Sequence, residues 1–287
     1  MPRAELALVF VTVLWGTSFA FMKDALTDTS PLLFTGLRFF IATLLLAPVL
    51  IRARGDRRTW LDGLVLGVLL FAAFATQIRG LTTISAGRSA FLTSTCSLMV
   101  PFIEYAITGR KPAPRVVVGI LVALAGVYYL TDPRGGVVAL ATGDLLTLAC
   151  ALLYAIYLVH LDTTTKRGQL ETLLLAQLGT CALLGVALSP LFETPRFSPT
   201  PDALGALAAL AIGSTAIAIY LQNRFQSRTT PTRAAVIYAA EPVFAAGFAA
   251  LYLAEPLGPR MLGGGAVILC GILLAVAREP AAPAPIA

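Results

Sequence analysis

Charge is what this sequence has least of. Only 13% of its 287 residues are Asp, Glu, Lys or Arg, against about 25% in ordinary soluble domains, while 57% are apolar and the mean hydropathy is +0.83. So little charge does not cover a body that faces water on all sides, and the chain reads as a membrane protein. Histidine is nearly missing too: His160 stands alone, so a zinc site of the His-Glu-x-x-His kind is excluded. Asp24, Asp132, Asp144 and Asp162 lie near the ends of apolar runs, which leaves no facing pair at depth for intramembrane aspartyl chemistry. Gly263-Gly264-Gly265 opens an apolar stretch with no Lys-Ser or Lys-Thr behind it, so a phosphate-cradling loop is missing. The four cysteines, Cys96, Cys150, Cys181 and Cys270, sit singly inside apolar runs without ligand spacing and read as small packing residues. These absences argue against an enzyme and imply neither metal nor cofactor.

The net charge of +6 does not imply nucleic acid, because the basic residues lie between apolar runs and not in one patch with interleaved aromatics. Alternating ten-residue segments are lacking, which excludes a transmembrane β-barrel. No basic head with a short apolar core and small-residue cleavage site precedes the body, so the first run is expected to be a retained helix.

What is present is a succession of apolar runs, ten in number: 5–22, 33–51, 61–81, 89–107, 116–130, 143–161, 172–191, 203–222, 231–252 and 261–277. A spanning helix needs about 20 residues, so the expected fold is all-α and polytopic, with ten transmembrane helices. With the N-terminus in the cytoplasm, fourteen basic residues fall inside and six outside, and Arg38 falls within a span. The positive-inside rule then puts both termini in the cytoplasm. Trp60, Tyr128 and Tyr129 fall at span ends, where interfacial anchors belong. Residues 279–287, rich in Pro and Ala, are expected to be a disordered tail.

The chain also repeats itself. Residues 114–126 match residues 259–271 at six of thirteen positions without a gap, and Glu5, Leu14 and Trp15 align with Asp144, Leu153 and Tyr154. Two units follow, 1–135 and 136–278, with five spans each. An odd number of spans makes the second unit enter the membrane from the opposite side, the inverted-repeat plan of secondary transporters, whose substrate site lies near the midplane at the seam. Gly119, Ala123, Gly126, Gly264 and Gly271 supply small faces for close helix packing.

Glu241, at the middle of the ninth run, is the candidate for proton coupling. A carboxylate at that depth costs roughly 2.5–3.5 kcal/mol on insertion scales, so it should face a cavity or a partner. Pro242 beside it removes an amide donor, which at depth is tolerated only where protein or water satisfies the freed carbonyl. The substrate pathway is expected to draw on Trp15, Ser18, Phe19, Arg38, Gln77, Phe91, Thr95, Tyr154, Tyr157, Gln177 and Tyr238, polar or aromatic groups inside apolar runs. For Arg38 several roles stay open: a partner for Glu241, a site for a substrate carboxylate, snorkelling to the interface, or a fixed link between helices. For the aromatic residues, a substrate sandwich and plain core packing both stand. Glu104 reads as a structural partner of Arg110 or Lys111, and His160 as an interfacial residue.

Leu14-Trp15-Gly16-Thr17-Ser18-Phe19, Leu37-Arg38-Phe39-Phe40-Ile41-Ala42, Gly80-Leu81-Thr82, Ser89-Ala90-Phe91-Leu92-Thr93 and Pro101 resemble the EamA-type members of the drug/metabolite transporter superfamily. Glu241-Pro242-Val243-Phe244, Ala254-Glu255-Pro256-Leu257 and residues 264–271 continue the pattern, so the resemblance covers nearly the whole chain. Two places depart from it: Gly109-Arg110 stands where the pattern's second half has Gly-Glu, and Pro231 where the first half has Ala90. The resemblance implies a ten-helix bundle of the bacterial inner (plasma) membrane that exports small metabolites, amino acids or toxic compounds by alternating access, with proton coupling an option. Its implied partners are a small-molecule substrate, the lipid bilayer and, if coupled, protons; the oligomer is a monomer or a homodimer. Uptake, or a channel or scaffold without active transport, remain the alternatives.

Overall fold

The computed structural model describes residues 3–109, 113–131, 140–166, 169–228, 234, 237–238 and 240–276. Lys111, Arg110, Pro231 and the expected tail 279–287 lie outside the described residues. Among the described residues the chain is helical, and its one extended pairing is an isolated antiparallel bridge between Thr29 and Phe197.

In chain order the helices are α1 (Arg3–Ala25), α2 (Pro31–Leu45), α3 (Ala47–Leu50), α4 (Arg57–Leu81), α5 (Ala86–Ser94), α6 (Cys96–Thr108), α7 (Pro114–Thr131), α8 (Thr142–Thr165) and α9 (Leu170–Phe192). Then come α10 (Pro201–Ala209), a π-helical segment (Leu210–Ile217), α11 (Ala218–Phe225), a 3-10 turn (Gln226–Arg228), α12 (Glu241–Tyr252) and α13 (Pro259–Val276). Six segments are long and apolar enough to cross a membrane: Ala4–Ala25, Arg57–Leu81, Ala86–Ile107, Thr142–Thr165, Leu170–Phe192 and Pro201–Phe225. Pro31–Leu45, Pro114–Leu130 and Pro259–Leu274 are shorter apolar helices. The ninth expected run is described only in part, and α12 begins within it at Glu241.

Local chemistry sets the helix ends. Asp56, Ser85 and Thr200 each accept the backbone N–H three residues on, at 2.9, 3.2 and 3.2 Å, and so cap α4, α5 and α10. Pro31 and Pro201 occupy first-turn positions, where a missing N–H removes nothing the helix would use. Pro101, which has no N–H to donate, sits inside α6, six residues past the break at Thr95 that separates α5 from α6.

The outward faces are as apolar as the core: Leu64, Val68, Leu121, Leu124, Leu183, Ile212 and Leu273 are all exposed. Helices apolar all round are at home in lipid. Inside, α7 packs along α13, α2 along α9, α4 between α8 and α9, and α1 against α12, α11 and the π segment. The α7/α13 contact is close enough that a Cβ on Gly271 would stand 2.5 Å from the Gly119 carbonyl oxygen and 2.8 Å from the Ala123 Cβ. Small side chains are what permit that approach.

One end of the bundle is tied by ionised groups. Arg88 Nε and Nη2 donate to Asp144 Oδ1 and Oδ2 at 2.7 and 2.6 Å, and Asp144 is fully buried. The Glu193 carboxylate accepts from the backbone of Leu32 and Leu33 at 3.0 and 2.9 Å, and the Glu255 carboxylate from Ala86 and Gly87 at 2.9 and 3.3 Å. Each glutamate thereby covers the positive N-terminus of a helix, α2 or α5. Lys23 Nζ donates to the carbonyls of Leu81 and Ile84 at the C-terminal end of α4, and Thr200 Oγ1 donates to Asp28 Oδ2 at 2.7 Å.

Candidate functional site

A cavity opens between five helices. Trp15, Ser18 and Phe19 reach it from α1, Ala73, Phe74 and Gln77 from α4, Thr93 from α5, Cys150 and Tyr154 from α8, and Glu241 from α12. Helical periodicity explains the groupings: residues three and four apart share a face, which aligns Trp15 with Ser18 and Phe19, Phe74 with Gln77, and Cys150 with Tyr154.

Gly16 lets α1 approach the acidic wall. A Cβ there would stand 2.6 Å from the Phe244 Cβ and 2.9 Å from the Glu241 carbonyl oxygen. Glu241 is the first residue of that helix, reached through a turn at Ala240, and Pro242 follows it within the first turn. The carboxylate stands at the positive end of a helix dipole, and it is half-buried. Among the described residues, no hydrogen bond or ion pair engages its oxygens.

Three of the lining donors, by contrast, are committed. Trp15 Nε1 donates to the Ser214 carbonyl at 3.1 Å, Ser18 Oγ to the Trp15 carbonyl at 2.7 Å, and Gln77 Nε2 to Thr93 Oγ1 at 3.4 Å. The Trp15 ring meets Tyr154 edge-on, with centroids 6.0 Å apart, and leans on Tyr238 at 5.4 Å.

Six of the residues picked from the sequence thus converge on the cavity: Trp15, Ser18, Phe19, Gln77, Tyr154 and Glu241. The others lie elsewhere. Tyr157 stacks on Tyr154 at 5.3 Å, and its hydroxyl donates to Gln177 Oε1 at 3.0 Å. Gln177 Nε2 donates in turn to Asn223 Oδ1 at 2.8 Å. Tyr238 Oη donates to Gln226 Oε1 at 3.2 Å, and Gln222 Nε2 donates to the Tyr154 hydroxyl at 3.0 Å. These neutral groups form a polar layer beside the cavity, in which the buried Gln222 Oε1 has no hydrogen-bond partner among the described residues. Phe91 packs against Gly265, and Thr95 Oγ1 bonds back to the Leu92 carbonyl at 2.6 Å.

Arg38 stands behind the cavity wall and not in it. Its guanidinium lies 4.9 Å from the Phe74 centroid and donates to Ser214 Oγ at 2.9 Å, to Thr215 Oγ1 and to Met22 Sδ at 3.2 Å. Every one of these contacts is neutral, and the side chain is 2% exposed, so neither snorkelling nor a bond to Glu241 describes it. It binds two successive hydroxyls of the π segment, and the Ser214 carbonyl of that segment is the acceptor for Trp15. Arg38 therefore acts on the cavity through the backbone that orients Trp15. π turns inside α-helices concentrate at functional sites.

Ala73, Phe74, Thr93 and Cys150 were not picked from the sequence. Phase on the helix was the signal that pointed to two of them, since Phe74 is three residues before Gln77 and Cys150 four before Tyr154. Among the described residues, no group of three or more His, Cys, Asp or Glu side chains comes together to hold a metal.

Comparison with known proteins places this arrangement. The EamA-like transporter family matches the chain twice, over residues 2–131 and 141–277. The chain belongs to that family. An uncharacterized transporter of Archaeoglobus fulgidus is 31% identical over 277 residues, covering 96% of this chain and 86% of its own length. The uncharacterized transporter YoaV of Bacillus subtilis is 23% identical and covers 96% and 97% of the two chains. A solved crystal structure that is 24% identical superposes with a TM-score of 0.71 over 96% of each chain, which establishes a shared fold. This EamA-family protein is accordingly a multi-pass membrane protein of a transporter family, and the cavity beside Glu241 is its candidate translocation site.

Proposed function

We propose that this EamA-family protein is a secondary carrier that exports small metabolites, amino acids or toxic compounds across the inner membrane by alternating access, exchanging them for protons at Glu241. In this reading ten spans form two inverted five-helix repeats, 1–135 and 136–278, with both termini cytoplasmic. The observation that carries it is the unpartnered Glu241 carboxylate in a cavity whose walls come from both repeats, α1, α4 and α5 on one side and α8 and α12 on the other.

The packing supports the repeat arrangement. Exchanging the two halves turns the α1/α12 contact into α8 with α5 and α6, and turns α4/α8 into α1 with α10, α11 and the π segment; each of these pairings is present. The α2/α9 and α7/α13 pairs map onto themselves. The count of fourteen basic residues against six favours an orientation with the end tied by Arg88, Glu193 and Glu255 on the outside. In that orientation the carboxylates of Asp144, Glu193 and Glu255 close the outer end, and their release opens it.

Proteoliposomes test the reading. Substrate-dependent flux should saturate with concentration and respond to an imposed pH gradient, and Glu241→Gln should abolish the gradient response while the protein stays folded and inserted. Unsaturable flux points to a channel, and an unchanged gradient response in the variant removes Glu241 from coupling.

A further inference from the structure

The charges around the cavity are unbalanced, and the imbalance specifies what fits there. The one ionisable acid in the lining, Glu241, has neither a hydrogen bond nor an ion pair among the described residues, and no Lys, Arg or His lines the cavity with it. The deep cation Arg38, which a zwitterion would need for its carboxylate, is separated from the cavity by the Phe74 ring and held by Ser214, Thr215 and Met22. Three lining donors, on Trp15, Ser18 and Gln77, already serve acceptors within the protein. An incoming ammonium or pyridinium meets a carboxyl group that no described cation answers, whereas an incoming carboxylate meets a group of its own kind and donors of which three already serve the protein.

The remaining walls are rings. Trp15, Phe19, Phe74 and Tyr154 come from three helices, and their faces carry negative electrostatic potential that attracts a cation as well as an apolar body.

We infer that the site takes monovalent organic cations with a flat, apolar body, and that Glu241 supplies their counter-charge while the four rings enclose them. This deepens the carrier reading above and rests on it for transport, though not for binding. Within the substrate range proposed above, this assignment ranks such cations ahead of amino acids and other zwitterions, whose carboxylate finds no cation in the lining.

Trp60 is the only other tryptophan, so a Trp60→Phe variant leaves Trp15 as the sole reporter. In nanodiscs, its emission is followed during titration with 1-methyl-4-phenylpyridinium, with the uncharged isostere 4-phenylpyridine above its pKa, and with phenylalanine. The cation should quench saturably and bind about tenfold or more tightly than the isostere, the equivalent of one charge-assisted contact. Phenylalanine should bind no better than the isostere. Glu241→Gln should bring the cation to the isostere's affinity and leave the isostere unchanged, and Glu241→Asp should retain part of the preference. Equal affinity for cation and isostere in the parent protein overturns the assignment without any glutamate variant, as does a cation preference that survives Glu241→Gln. Liposome flux separates the two readings. A cation that binds and is not moved removes the carrier and leaves the site, whereas phenylalanine moved in preference to the cation removes the site assignment and leaves the carrier.

Discussion

The tied end of the bundle and the layer beside the cavity are both rich in polar contacts, but different chemistry holds them. At the tied end the acceptors are carboxylates: Asp144 on the Arg88 guanidinium, Glu193 on the first amides of α2, Glu255 on the first amides of α5. Beside the cavity they are amides and phenols, Tyr157 to Gln177 to Asn223, Tyr238 to Gln226 and Gln222 to Tyr154, with one acceptor left unused on Gln222. Hydrogen bonds with an ionised partner are about twice as strong as neutral ones. The strong bonds therefore sit where the helices are fastened together, and the exchangeable ones sit where a ligand has to be accommodated.

That contrast is open to attack from four sides. The largest effect is expected from Asp144→Asn, which removes the negative charge facing Arg88 at a partly buried position. It should lower stability by about 2–3 kcal/mol, less than the 3–5 of a wholly buried pair because Arg88 keeps 25% of its side chain exposed. Thermal unfolding in detergent measures it. Next is Gly16→Ala, where the added Cβ meets Phe244 and the Glu241 carbonyl; overpacking of this kind should cost about 1–2 kcal/mol and perturb Trp15 emission at the same time. Glu255→Gln keeps the shape and removes the charge from the α5 N-terminus, for an expected loss of about 1 kcal/mol, reduced at high salt. The smallest belongs to Gln222→Met, which deletes one neutral bond together with the orphaned acceptor and should change stability by under about 0.5 kcal/mol. If Gln222→Met proves more damaging than Asp144→Asn, the division between a fastened end and a compliant layer is wrong.

How much of this was legible beforehand follows from the reach of each signal. A carboxylate inside an apolar run can be read from one position, and so can Trp15, Ser18, Phe19, Gln77 and Tyr154 as polar or aromatic interruptions; these are the residues that meet in the cavity. The helices and their proline starts were likewise local, since Pro31 and Pro201 act within their own first turn. Partners distant in sequence were not legible. Asp144 was read as a residue near a span end, yet it is fully buried because Arg88, 56 residues earlier, arrives beside it. Arg38 was read as lying within a span and is buried, but its roles stayed open because Ser214 and Thr215, 176 and 177 residues away, decide which way it turns. The π segment left no trace in composition at all: its backbone register depends on which groups the neighbouring helices present, Arg38 on one side and Trp15 on the other.

That segment has a consequence for the rest of its span. Each residue added to a helical rod turns everything beyond it by about 100°, so the widened stretch Leu210–Ile217 fixes the azimuth at which α11 presents Gln222 and Asn223 to the interior. Wide turns hold surplus chain, and removing Gly213 should let the stretch contract toward ordinary winding while both flanks keep their seats, with Trp15 emission reporting the loss of its carbonyl partner. The span carries its adjustable length in one place, beside a cation that meets only neutral partners among the described residues.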